Sequence, residues 1–486
     1  MTILSNISRL PSTKPTPTEE QSAILSLAAS SSSNLMLNAL AGCGKTSTLE
    51  MIEQAVDVRP ILYLVFNKRN AEEAEERMLS TTTVRTFNSL GHRIWSKACT
   101  KAQMRVDPKK SAEILREIIG EVKDKPTKGQ IWQVYWEVIN AVAKAKAHGY
   151  IPEGKFTNIQ RLCTRSEFEQ TLDEEPDDFT SDLIDAVLTR SISASYEGWI
   201  DYNDQIYMPA LFGGTYPRFP LVMVDECQDL SPINHAMLKK LVHGRLCAVG
   251  DRWQNIYGFR GAKQQSINDL VNTYECCELP LSTSFRCPRA IVEAARWRVP
   301  HFKWIKDGGH VERLNELDPT SISDNSTIIC RNNAPIFKCA MSLLASGRSV
   351  SVAGSEIGPK LVAIMRKLGD ESLSRVSTIA AINDWEAEKL SKDSTTASDL
   401  AGCMRVFAEH GTTLGTAIKY AEHLFAQKGS IRLLTGHKAK GLEFDTVYFL
   451  DPWLCSETEQ DMNLRYVIQT RSRDKLFEID SRDIRW

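Results

Sequence analysis

The sequence predicts a multidomain α/β fold built on parallel sheets and interrupted by helical insertions, and three observations carry that reading. Short, near-continuous apolar runs at 35–37, 61–66, 221–224 and 246–249 end in small or polar loops, as strands buried on both faces do. The first run passes through a small-residue loop, Ala39 to Gly44, into Lys45-Thr46, which open a helix. The stretch from Ile94 to about Gly198 instead shows helical i, i+3, i+4 spacing, at 112–122 and 131–147, with few strand-like runs.

Bulk properties set the frame. A chain of 486 residues accommodates roughly two to four domains, each with its own core. Apolar residues make up 42% and charged residues 25%, an ordinary globular balance. The net charge of −2 gives no global attraction to nucleic acid, so such contact must come from a local groove. The twelve cysteines include no Cys-x-x-Cys and one adjacent pair, Cys276-Cys277, a pattern of reduced thiols in a cytosolic protein rather than a disulfide framework or zinc site. The first 18 residues are polar and lack a signal-peptide core, and no run has transmembrane length. The expectation is a cytoplasmic chain (nuclear in a eukaryotic source) with no membrane partner.

In chain order, Thr18-Glu-Glu-Gln21 reads as a helix start with Thr18 as cap. Gln21 is either part of that cap or a side-chain amide that reads an adenine edge. The loop after the first strand has the context of a P-loop. Backbone N–H groups from Ala41, Gly42, Cys43 and Gly44 through Ser47 point at a phosphate chain, Lys45 reaches the β- and γ-phosphates, and Thr46 offers its hydroxyl to Mg²⁺. The 61–66 run reads as a central parallel strand, followed by Asn67 and a charged helix to Met78. A second β-prone run, 83–86, leads into Phe87-Asn88-Ser89. Loops at strand carboxyl ends are ligand sites in open α/β sheets, and an aromatic beside polar groups suits single-stranded nucleic acid. Taken alone, however, Phe66 and Phe87 read as core residues. The acidic segment 167–185 reads as solvated.

Downstream, the 221–224 run ends in Asp225-Glu226-Cys227-Gln228-Asp229, the expected Walker B partner of the P-loop. Asp225 would hold Mg²⁺, directly or through water, and Glu226 would polarise the attacking water. The next strand runs into Gly250-Asp-Arg-Trp-Gln254-Asn-Ile-Tyr257-Gly-Phe259-Arg260-Gly-Ala262. Gln254 can meet a γ-phosphate there, with Tyr257, Phe259 and Arg260 as a stacking platform a few residues on.

These motifs, in this order, resemble the UvrD/Rep/PcrA-type helicases of superfamily 1A over most of the chain. The Asp-Glu-x-Gln-Asp and Gly-Asp-x-x-Gln-x-Ile-Tyr-x-Phe-Arg-Gly-Ala pair is specific, since the 5′-to-3′ branch lacks the second motif's tail. Leu281-Ser-Thr-Ser-Phe-Arg286 is similar to the family's Leu-x-x-Asn-Tyr-Arg, and Arg331-Asn-Asn-Ala334 to its Arg-x-Asn-Ala. Thr435-Gly-His437-Lys-Ala-Lys-Gly-Leu-Glu443-Phe and Tyr466-Val-Ile-Gln-Thr-Arg471 match its last two motifs.

The resemblance implies two RecA-like motor domains, 1–93 with 199–275 and 276–357 with 430–486, with insertions at 94–198 and 358–429. The second insertion is short, where family members usually carry a large one. Gln21 would contact adenine, Phe285 would replace the Tyr that stacks on the base, and Glu443 would contact the ribose. Arg286 and Arg471 become arginine fingers from the second domain. Phe66, Asn67, Thr86, Phe87, Tyr257, Phe259, Arg260, Arg331, Thr435 and His437 would line a single-strand track, with Phe259 in place of the usual Trp. The implied function is ATP- and Mg²⁺-dependent translocation on single-stranded DNA, with 3′-to-5′ unwinding of tailed or forked duplexes. A translocase that displaces proteins or remodels forks without processive unwinding is the alternative, motivated by the short insertion. A nucleotide-binding scaffold without turnover is disfavoured by the intact catalytic set.

Overall fold

The computed structural model describes residues 16–99, 103–172, 175–258, 261, 265–353, 357–390 and 397–484. The chain divides into two compact units, Met1–Ala39 with Gly44–Leu281, and Leu40–Cys43 with Ser282–Trp486.

The first unit is organised by a six-stranded sheet of strands β1 (Leu35–Ala39), β2 (Ile61–Val65), β3 (Thr82–Thr86), β4 (Phe219–Val224), β5 (Val242–Gly250) and β6 (Cys277–Leu281). Their order is β3-β2-β4-β5-β1-β6 and every pairing is parallel. Parallel pairs need covered crossovers, and the inner strands are buried accordingly: all five residues of β2 are buried, as are the last five of β5. From β1 the chain crosses to β2 and β3, then returns through β4 and β5 to fill the gap beside β1. The carboxyl end of β1 is thus a topological switch point, where ligands of open sheets bind.

The helices Lys110–Glu121, Lys125–Gln133, Tyr135–His148, Arg165–Glu169 and Asp178–Tyr196 fill the stretch expected to be helical. The single helix expected over 131–147 is two, broken at Val134 (φ −91°, ψ 8°) and started by the Asp124 cap upstream. The acidic 167–185 segment is not simply solvated. Phe168, Leu183 and Ile184 are buried, and Asp185 accepts from the Tyr150 hydroxyl (2.9 Å) and pairs with Arg165. These helices share one continuous apolar core with Met36, Leu62 and Val222 of the sheet. The expected boundary at 275 also shifts: β6 pairs with β1 residue by residue up to Ala39–Leu281, so the first unit extends to Leu281.

The second unit repeats the plan with β7 (His310–Leu314), β8 (Thr327–Cys330), β9 (Val350–Val352), β10 (Ile431–Thr435), β11 (Phe444–Leu450) and β12 (Ser472–Ile479). Their order is β7-β12-β11-β8-β10-β9, again parallel. Helices Ile357–Met365, Arg375–Leu390, Ala397–His410 and Leu414–Ala426 lie between β9 and β10 in the chain. Leu361, Ile382, Phe407 and Leu424 from them join Ile328, Phe337 and Leu433 in one core. Among the described residues no helix is long and apolar enough to cross a membrane.

Candidate nucleotide site and its surroundings

In the first unit, the helix Lys45–Ala55 carries Lys45 and Thr46, and β4 and β5 deliver the acidic residues. Gly44 caps that helix in the left-handed region (φ 75°, ψ 39°), where glycine is at ease. Lys45 Nζ lies 2.8 Å from Glu226 Oε2, and Thr46 Oγ1 donates to Asp225 Oδ2 at 3.0 Å. The second Asp225 partner is the Tyr63 hydroxyl, 2.9 Å away on β2. Glu226 is held in the left-handed region (φ 52°), which strains a non-glycine residue, while its N–H donates to Asp225 Oδ1 at 2.8 Å. That turn presents both carboxylates to Lys45 and Thr46.

Gln228 ties this turn to the next. Its Nε2 donates to Glu226 Oε2 (2.6 Å), and its Oε1 accepts from the Asp251 N–H (3.0 Å). A Cβ at Gly250 would sit 2.6 Å from Gln228 Oε1 and 2.7 Å from Cys227 Sγ, so only glycine permits the approach. Gln254 is buried and donates to Asp251 Oδ2 at 2.7 Å. Sequence reasoning assigned no role to Asp251, Tyr63 or Gln228. Asp251 was findable as the acid at the end of a strand, like Asp225, whereas nothing in a wholly apolar run singles out Tyr63.

The electrostatics follow from three buried or half-buried carboxylates around one ammonium. Burial opposes the charge on Lys45, but Glu226, Asp251 and Asp225 together outweigh it and hold its pKa above the ordinary value. Burial, reinforced by Glu226, raises Asp225. Burial also pushes Asp251 up to about 6. This excess of negative charge is the environment a divalent cation relieves. Among the described residues no three His, Cys, Asp or Glu side chains form a complete metal site. The donors present, the Asp225 carboxylate and the Thr46 hydroxyl, are of the kind Mg²⁺ takes beside phosphates and water. Thr46 and Asp225 are the residues that would hold it, and Lys45 would meet the phosphates.

Gln21 does what its capping reading required. Its Oε1 accepts from the Thr18 N–H (3.0 Å), and its Nε2 donates to Thr48 Oγ1 (3.0 Å), which in turn donates to Gly44 O (2.8 Å). It therefore braces the first turn of the P-loop helix, and an adenine contact would have to replace one of these bonds.

In the second unit, residues 40–43 are held by three contacts. The Ala41 N–H donates to the Tyr466 hydroxyl (3.1 Å), Ser284 Oγ donates to Ala41 O (3.0 Å), and the Phe285 N–H donates to Gly42 O (2.9 Å). Gly42 has φ +71°, and a Cβ there would fall 2.5 Å from Arg286 Cβ. Cys43 is buried and Ser47 exposed. Arg286 Nε is 2.9 Å from Glu443 Oε2 on a half-exposed pair. Arg471 is 1% exposed and donates to the carbonyls of Val467 (2.9 Å) and Leu442 (3.2 Å).

The residues assigned to the strand track divide by environment. Phe66 and Tyr257 stack with ring centroids 6.1 Å apart and planes at 4°. Asn67 caps the helix Lys68–Arg77, and Thr86 forms a capping box with Ser89 at the helix Phe87–Ala98. Phe87 is 5% exposed and belongs to the core, so its stand-alone reading holds and its ring is not available for stacking on a base. Arg331 pairs with Asp461 (2.8 Å). Thr435 ends β10 and is buried, with His437 in the short helix Gly436–Ala439 that follows. Phe259 and Arg260 lie outside the described residues.

The chain is similar in sequence to known DNA helicases. The chain is 23% identical over 535 aligned positions to F-box DNA helicase protein 1 of Schizosaccharomyces pombe, covering 96% of this chain and 57% of that one. It is 24% identical to F-box DNA helicase 1 of Gallus gallus (92% and 46% covered) and 25% to DNA helicase IV of Escherichia coli (54% and 44%). The chain thus spans about half the length of these relatives. A UvrD-like helicase C-terminal domain matches residues 430–477. The UvrD/REP helicase N-terminal domain matches residues 18–275, more than half of the chain and all of the P-loop and Asp225–Glu226 constellation, and the chain belongs to that helicase family.

Proposed function

We propose that this chain couples Mg²⁺-dependent ATP hydrolysis to movement along single-stranded DNA and to 3′-to-5′ unwinding of tailed or forked duplexes. The observation that carries the reading is the convergence of Lys45, Thr46, Asp225 and Glu226 within hydrogen-bond distance at the end of β1. Bound ATP and Mg²⁺ would supply the phosphoanhydride and the charge that screens it. Lys45 binds and orients the phosphates, trading Glu226 for them. Glu226, so released, accepts the proton of the attacking water, and Gln254 positions the γ-phosphate end. The family resemblance assigns Arg286 and Arg471 the role of countering the negative charge that builds up in hydrolysis, and Phe285 and Glu443 that of holding base and ribose. The Phe66–Tyr257 stack is the best-formed element for gripping bases. Polarity rests on the family resemblance.

A second reading, translocation without processive unwinding, is favoured by one observation: the helices at 357–426 are absorbed into the core of the second sheet instead of building a core of their own. Phosphate release with and without single-stranded DNA tests the motor, and absence of turnover in both leaves only a nucleotide-binding scaffold. Duplexes tailed at either end then test polarity, and unwinding from the 5′ tail alone would reverse it. Streptavidin displacement without strand separation would select the second reading.

A further inference from the structure

The segment 289–307 of the second unit carries five Lys and Arg residues against two acids, Glu293 and Asp307, in a chain whose net charge is −2; Arg298 is turned to Asn463 and Glu459, and Asp307 accepts from Trp304 Nε1 at 3.2 Å. It folds as the helix Arg289–Ala295 followed by a two-residue strand, Lys303–Trp304, alongside Thr283–Ser284. The Arg289 N–H donates to Lys306 O at 2.9 Å, which sets the helix start beside the strand's end. The guanidinium groups of Arg289 and Arg296 lie 5.6 and 4.9 Å from the Trp304 ring centroid. Arg296 is fixed further by two bonds to Phe302 O (3.0 and 2.9 Å). Lys303, Lys306 and Arg289 are exposed, and the Arg289–Glu293 pair is a solvent-facing i, i+4 contact that competes weakly with a polyanion.

We propose that this face binds the phosphate backbone of DNA, single-stranded or duplex, without regard to sequence. The proposal rests on the DNA-motor reading above and adds a contact that none of the assigned track residues provides. The two guanidinium groups over Trp304 occupy the ring surface a base would need, so the face offers fixed positive charge and not a stacking platform. Guanidinium groups oriented by an indole keep a planar fork of N–H donors suited to phosphate oxygens.

The test uses the full chain carrying Arg289→Gln and Lys306→Gln together, with labelled single-stranded and duplex oligonucleotides titrated between about 50 and 200 mM salt. The slope of log affinity against log salt should become shallower by about 1.4 on single strands and about 1.8 on duplex, since each lost phosphate contact removes ~0.7 or ~0.9. Lys306→Arg should keep the original slope. An unchanged slope in the double variant overturns the proposal, as does a loss of binding to polyglutamate with DNA binding intact. Lys306→Gln alone, at an exposed side chain, gives half the change if the double variant melts early. Wild-type protein that binds neither DNA would instead overturn the motor reading itself.

Discussion

Lys45 sits among Glu226, Asp225 and Asp251, and its ammonium is what keeps that cluster tolerable. Lys45→Ala should lower ATP turnover at least about a hundredfold, ~3 kcal/mol of transition-state stabilisation, while DNA affinity stays within about threefold. Steady-state phosphate release and oligonucleotide anisotropy measure the two, and undiminished hydrolysis would remove the P-loop assignment. Asp251 makes a separate prediction from its position, since burial raises it to about 6 against an ordinary 3.8. A carboxyl raised on folding binds its proton more tightly in the native state. Its contribution therefore favours folding below about pH 4 and is lost as pH rises through about 6. The swing is at most about 3 kcal/mol at ~1.4 kcal/mol per unit. Asp251→Asn should flatten urea-melt stability across that window, and an equally steep profile in the variant would assign it to other groups.

At the scale of elements, a buried cluster joins four pieces of the first unit. Lys110 Nζ meets Asp204 Oδ2 at 2.7 Å, and Lys146 Nζ meets Asp201 Oδ2 at 2.6 Å and Asp204 Oδ1 at 2.7 Å. Lys110 also donates to Ser195 Oγ at 2.7 Å, and Lys146 to Ser191 Oγ at 2.9 Å, both serines on the helix Asp178–Tyr196. Two cations against two anions leave the cluster neutral, and each ammonium has a hydroxyl as well. Lys110→Met leaves Asp201 and Asp204 sharing the one ammonium of Lys146, an uncompensated negative charge in the interior, and should cost about 3–5 kcal/mol, whereas adding Asp204→Leu should cost less than the two single changes summed. Denaturant melts of the three variants decide it, and strict additivity would mean the pair is not energetically coupled.

For the whole molecule, the consequential point is that the short insertion of the second unit is structural. Phe407, on the helix Ala397–His410, lies 5.8 Å from the Phe337 ring and is fully buried. Phe407→Ala should therefore cost about 3–5 kcal/mol, as a core truncation does, although 358–429 reads from sequence as a reduced insertion. A loss below about 1 kcal/mol in a urea melt would mean the segment is an independent appendage.

Much of this was legible without coordinates, because buried parallel strands declare themselves as unbroken apolar runs and phosphate chemistry demands particular residues at particular spacings. The strands at 35–37, 61–66 and 221–224, the Lys45-Thr46 loop and the Asp225-Glu226 pair all emerge from local pattern. What local pattern does not contain is which partner a side chain meets. Phe87 at a strand end looks as suited to stacking as Phe66, yet one enters the core and the other lies flat against Tyr257. Gln228 meeting the Asp251 N–H, and β6 returning to β1 across more than two hundred residues of chain, depend on pairings between segments that local pattern does not connect. The sequence by itself determined the chemistry available at the end of β1. Only the tertiary structure decided which residues support it, because burial and hydrogen-bond partnership arise from contacts between segments distant in the chain.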